Sequence, residues 1–121
     1  VPDSRMARPI MPLLKGTLDV IILRTLGWGP AHGYAISRWI RQTTGDELQI
    51  EEGALYPALR RLEERGWVDA AWKTTETGRE AKVYQLTTLG RQQLQSELKS
   101  WTRYVAAMAR VLETRPAEAL S

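Results

Sequence analysis

Apolar positions along this chain change period several times, and the changes mark its elements. From Leu13 to Leu26 the residues Leu14, Leu18, Ile21, Ile22 and Leu26 follow the spacing of one helical face. Gly27-Trp28-Gly29-Pro30 breaks that helix with glycine and proline together. A second helical pattern runs from about Ala31 to Gln42, with Ala35, Ile36, Trp39 and Ile40 inward, and Thr43-Thr44-Gly45-Asp46 ends it. After a short loop a third helix begins near Glu52. Its Leu55, Ala58, Leu59 and Leu62 share one face, and Gly66 stands where a left-handed stop residue is expected. Pro57 is tolerable in a helix that starts there, because the first N–H groups of a helix have no intrahelical acceptor.

Beyond Gly66 the period shortens to two. Trp67–Trp72 and Ala81–Leu86 read as strands, joined by a polar stretch with Gly78 near its tip, which makes a β-hairpin. Thr87 or Thr88 then offers an N-cap for a last helix. Its apolar positions Leu94, Leu98, Trp101, Val105, Met108 and Leu112 alternate steps of four and three residues, a heptad stripe. A stripe this regular, on a helix that outreaches the small domain before it, asks for a second chain; an intramolecular core helix is the alternative. The expected fold is therefore mostly α with a small β-hairpin (α+β). A winged helix-turn-helix over residues 13–87 is followed by a dimerisation helix over residues 88–113, with a flexible arm at residues 1–12 and a flexible tail at residues 114–121.

Composition narrows the function classes. A chain of 121 residues, 43% apolar and 26% charged, is expected to be one ordinary globular domain. No apolar run approaches the roughly 20 residues that span a bilayer, and the first residues lack a signal-peptide pattern. No membrane partner and a cytoplasmic location are the expectation. With no cysteine and one histidine, a disulfide framework, thiol chemistry, metal ligation and most catalytic triads fall away. Glu51-Glu52 and Glu63-Glu64 are neighbours on helix surfaces, and the glycines of 27–33 lack the spacing of a phosphate loop. Neither an enzyme nor a cofactor is expected. The net charge of +3 permits nucleic-acid binding without arguing for it.

Four segments in order carry a resemblance: LLKGTLDVIILRTL at Leu13–Leu26, HGYAI at His32–Ile36, EGALYPALRRLEERGWV at Glu52–Val68 and YQLTTLG at Tyr84–Gly90. Together they resemble the PadR family of bacterial transcriptional regulators, in the small subfamily with a single C-terminal helix. The resemblance implies a homodimer that binds a pseudo-palindromic double-stranded DNA operator, represses a neighbouring gene and is released by a small aromatic or hydrophobic effector. The alternative is a winged-helix module that binds protein without reading DNA sequence.

In such a helix-turn-helix the first turns of the third helix reach base edges. Gly53, Ala54, Tyr56 and Pro57 stand there, small or flat enough for close approach, with Arg60 and Arg61 behind them to meet phosphate or guanine or to pair with neighbouring carboxylates. Gly33, Tyr34 and Ser37 lie where the second helix crosses the phosphate backbone. Lys73, Thr74, Thr75, Arg79 and Lys82 suit wing contacts to DNA. On the last helix, Trp101 is the leading ligand candidate: two copies facing across a dimer axis would sandwich a flat aromatic molecule, or simply fill the dimer core. Tyr104, Val105 and Met108, with Leu13, Leu14 and Thr17 of the first helix, complete that candidate wall. Trp28, Trp39, Trp67 and Trp72 are expected in core or hinge packing, and His32 as a cap or surface residue of the second helix.

Overall fold

Gly16 opens the first described helix from a left-handed conformation, φ 88°, which glycine adopts without the Cβ penalty of other residues. The computed structural model describes residue 13 and residues 16–117; the arm expected over residues 1–12, Leu14 and positions 118–121 lie outside them. Helix α1 covers Thr17–Leu26 and starts later than the expected Leu13, because the backbone at Gly16 is not helical. Then follow β1 (Ala31–His32), α2 (Gly33–Thr43), α3 (Glu52–Glu64), β2 (Val68–Thr74), β3 (Glu80–Leu86) and α4 (Thr88–Glu113).

The three short helices pack around one core. Ile22, Leu23 and Leu26 of α1 meet Ile36 and Ile40 of α2 and Leu55, Ala58, Leu59 and Leu62 of α3, all buried. Ile50 of the turn, Val68, Tyr84 and Leu86 of the strands, and Leu94 of α4 close the cluster. The helix ends obey local rules. The His32 ring accepts the Ala35 N–H at 3.1 Å and caps α2. At the other end of α3, the Gly66 N–H donates to the Glu63 carbonyl and the Trp67 N–H to that of Leu62, a Schellman stop. Pro57 stands at the sixth position of α3, past the orphan N–H groups, so it leaves the Gly53 carbonyl without its helical donor.

The wing is larger than a hairpin. β2 and β3 pair antiparallel from Val68↔Leu86 out to Thr74↔Glu80, and β1 joins the other edge of β3 through Ala31↔Tyr84 and His32↔Val83. Ala31 and His32 were expected in the second helix; instead they hold the sheet to its start. Two residues carry no periodicity, so pairing with β3 alone makes them a strand. The tryptophans also divide differently from the expectation. Trp67 is half-buried against the core, whereas Trp28 and Trp72 are each 67% exposed and Trp39 is 38% exposed.

α4 starts from a tight junction. The Thr87 hydroxyl donates to the Gly66 carbonyl at 2.6 Å and accepts the Gly90 N–H at 2.9 Å, while the Thr87 N–H donates to the Trp67 carbonyl at 3.0 Å. Gly90 lies so close to this turn that a Cβ on it would sit 1.9 Å from the Trp67 oxygen. The helix runs 26 residues, about 39 Å at 1.5 Å per residue. Only its first part is covered. Leu94 is 4% exposed and belongs to the core of its own chain, with Leu98 packed against it; by contrast Val105 is 59% and Leu112 74% exposed.

Gly90→Ala is expected to lower the unfolding free energy by about 3 kcal/mol in urea titration, since a backbone carbonyl cannot swing aside as a side chain would. Thr87→Val, which keeps the shape and loses the hydroxyl, is expected to cost about 1–2 kcal/mol in the same measurement.

Candidate nucleic-acid interface and apolar cleft

Opposite the buried face of α3, Glu52, Gly53, Ala54, Tyr56, Pro57 and Arg60 form a continuous exposed surface. At 100° per residue, Gly53, Pro57 and Arg60 cluster around the direction opposed to Leu62, with Tyr56 and Ala54 on the two flanks. The turn from α2 to α3 is tied by the Ser37 hydroxyl, which donates to the Ile50 carbonyl at 3.5 Å. Ser37 is half-buried and part of that brace, and Tyr34 rather than Ser37 presents the polar edge of α2. Arg60 makes no ion pair among the described residues. Arg61 does not share its freedom: its guanidinium donates to Asp19 of α1 at 2.5 Å, and Arg65 reaches the same carboxylate at 3.5 Å. The two α3 arginines therefore separate, Arg60 to the open face and Arg61 to a clasp on α1, because one helical step carries Arg61 round towards Asp19.

Gly33 is buried at the start of α2, and its missing side chain is filled by Tyr56: a Cβ there would lie 2.7 Å from the phenol oxygen and 2.8 Å from the ring. In the fold the absence of a side chain at Gly33 makes room for Tyr56. Tyr34 remains 64% exposed, stacked on His32 with ring centroids 6.3 Å apart and with the Arg38 guanidinium 5.4 Å above its other side. Because His32 Nδ1 accepts the Ala35 N–H, the neutral ring carries its proton on Nε2.

The wing faces these residues across a cleft of about 670 Å³, lined by Gly33, Tyr34, Tyr56, Trp72, Arg79 and Lys82 among others, with Tyr84 in its wall. Lys82 is shared: its ammonium lies 3.6 Å from Glu63 and 5.7 Å from the Tyr84 ring centroid. Burial, and then the Glu63 carboxylate, raise the Tyr84 phenol above its ordinary 10.0, so it remains a neutral hydrogen-bond donor. Lys73, Thr74 and Arg79 are exposed near the wing tip, where the Arg79 carbonyl accepts the Thr75 N–H at 2.7 Å and the Thr75 hydroxyl accepts the Arg79 N–H at 3.2 Å. Phenols, cations and one imidazole N–H thus converge on a single surface, the donor chemistry that phosphate oxygens require.

A second cleft, about 270 Å³ and almost wholly apolar, lies at the base of α4. Val20, Ile21 and Arg24 of α1, Trp39 and Ile40 of α2, Leu48, and Leu98 and Trp101 of α4 line it. Trp101 is half-buried there, with the edge of Tyr104 against it at 5.6 Å. Leu13 packs on the core and Thr17 starts α1; neither lines this cleft. Val105 and Met108 lie further out along the exposed stripe. Trp39, Val20 and Ile21 were not among the expected ligand residues. Helical spacing placed Ile21 and Trp39 inward and did not single out Val20; only the crossing of α1, α2 and α4 turns those positions into a wall. Among the described residues no group of histidine, cysteine, aspartate and glutamate could hold a metal ion, and no helix is long and apolar enough to cross a membrane.

Known proteins share this arrangement. The model of the transcriptional regulator PadR-like family matches residues 22–96. An uncharacterized protein X of Lysinibacillus sphaericus is 35% identical over 89 residues, covering 74% of this chain and 82% of that protein. The negative transcriptional regulator PadR of Bacillus subtilis (strain 168) is 30% identical over 77 residues; the match covers 64% of this chain and 42% of that regulator, so this chain spans under half of its length. The crystal structure of a PadR-like transcriptional regulator from Bacillus cereus superposes with a TM-score of 0.74 at 25% identity, covering 84% of this chain and 97% of that one. Family model, relatives and fold agree: the chain belongs to the PadR-like family of transcriptional regulators, proteins that act by binding DNA and not by catalysis.

Proposed function

We propose that this chain is a ligand-responsive homodimeric transcriptional repressor that binds a pseudo-palindromic operator and is released by a small aromatic or hydrophobic compound. The observation that carries the reading is the bare outer half of α4, where Val105, Met108, Val111 and Leu112 are all exposed on a helix that has left its own domain. Apolar surface on this scale favours a second copy, since each buried CH2 contributes about 0.8 kcal/mol. A twofold dimer would present two α3 helices to successive major grooves, which is why a pseudo-palindrome is the matching DNA. Gly53, Ala54 and Pro57 let α3 approach the groove floor, with methyl and ring carbons suited to thymine, and Arg60 reaches base or phosphate. Gly53 supports this in a particular way. Nothing lies within 4 Å of a Cβ built on it, so the fold itself has no need of glycine there.

Release follows from the position of the apolar cleft. Trp39 and Trp101 face it from α2 and α4, so a flat aromatic guest touches both the reading domain and the dimerisation helix. A guest that binds better when α4 is tilted away from the domain would separate the two α3 helices from their groove spacing.

Four measurements test this. Gel shift at low salt with the DNA upstream of the chain's own gene is expected to give a discrete complex, and no shift overturns the DNA reading. Met108→Glu is expected to yield a folded monomer in sedimentation at micromolar concentration; an unchanged dimer overturns the seam. Gly53→Ala is expected to raise stability by about 0.5 kcal/mol, as alanine replaces glycine in a helix, yet weaken operator binding by about tenfold, one added methyl at a close contact costing on the order of 1.4 kcal/mol. Trp101→Ala is expected to remove the response to aromatic effectors while operator binding persists.

A further inference from the structure

Trp72 has no work to do in the fold. Along β2 side chains alternate, so Val68, Ala70, Trp72 and Thr74 share the face that looks towards the helices. Val68 is buried and Ala70 half-buried. By Trp72 the hairpin has passed the end of the helical body, and the indole is 67% exposed while still on the inward face. It lines one wall of the 670 Å³ cleft, with Tyr34 and Tyr56 across from it, and Lys82 paired opposite it on β3. An exposed indole is unfavourable in water, and here it stands beside cations and phenols, not in a larger apolar patch.

We infer that Trp72 is a DNA-contact residue: the cleft between wing and helices grips one sugar–phosphate strand, with the indole packed against deoxyribose. The chemistry of the walls divides as such a strand does. Arg79, Lys82, the phenol of Tyr56 and the Nε2–H of His32 offer donors to phosphate oxygens. The face of Trp72 offers an apolar, rigid surface to the sugar, which has no charge to neutralise. Trp72 therefore contributes affinity without counterion release, and because every strand has the same sugar, it contributes on any sequence.

The inference rests on the DNA-binding reading, and its test separates the two. Binding of a duplex of arbitrary sequence is measured by fluorescence anisotropy over a range of salt concentrations, for the wild-type chain and for Trp72→Ala, Trp72→Phe and Arg79→Ala. Trp72→Ala is expected to weaken binding on the order of tenfold, the scale of one aromatic contact with nucleic acid, with an unchanged slope of log K against log salt. Arg79→Ala is expected to reduce that slope by about 0.9, one phosphate contact. Trp72→Phe is expected to recover most of the loss, and thermal melting of Trp72→Ala to match the wild type because the side chain is exposed. Wild-type binding together with unchanged binding by Trp72→Ala overturns the assignment alone. A reduced slope in Trp72→Ala overturns it too, since the indole would then act only by positioning Lys82. A wild-type chain that binds no duplex overturns the DNA reading and the assignment with it.

Discussion

Everything outward of the three-helix core depends on one close approach. Gly90 lies against the Trp67 carbonyl with no room for a Cβ, and Thr87 bridges the end of α3 to the start of α4 with its hydroxyl and its amide. The stop of the recognition helix, the root of the wing and the origin of the long helix thereby become one rigid knot. A change in the direction of α4 must be carried to α3 through this knot, because neither can pivot on it freely.

The apolar stripe of α4 is used twice. Leu94 and Leu98 complete the core of their own chain, and the same stripe continues outward uncovered through Val105, Met108 and Leu112. Trp101 stands at the change-over, half-buried over a cleft it shares with Trp39. The apolar cleft at that boundary is walled by α1 and α2 on one side and by Leu98 and Trp101 of α4 on the other.

Several cations around α3 and the wing are held by carboxylates. Asp19 holds Arg61 and Arg65, and Glu63 holds Lys82, which keeps those cations oriented at the flanks. Arg60 and the wing tip carry the free positive charge. Between them α3 exposes the small side chains of Gly53, Ala54 and Pro57.

The sequence by itself determined where the helices lie, the cap of α4 and the stop of α3, because those depend on neighbours within a few residues: Leu55, Ala58, Leu59 and Leu62 on one face, Thr87 before α4, Gly66 after α3. It also determined the family, since four short motifs keep their order and spacing. Tertiary structure alone decided the rest. Ala31-His32 is a strand only because β3 passes beside it. Arg61 pairs with Asp19 only because the fold brings α1 beside α3, and Gly33 meets Tyr56 only because α3 packs on α2. Trp72 has a core-facing parity, yet the hairpin outruns the helices that would have covered it. Local spacing tells which way a side chain points along its own element; what it meets there depends on where another element ends.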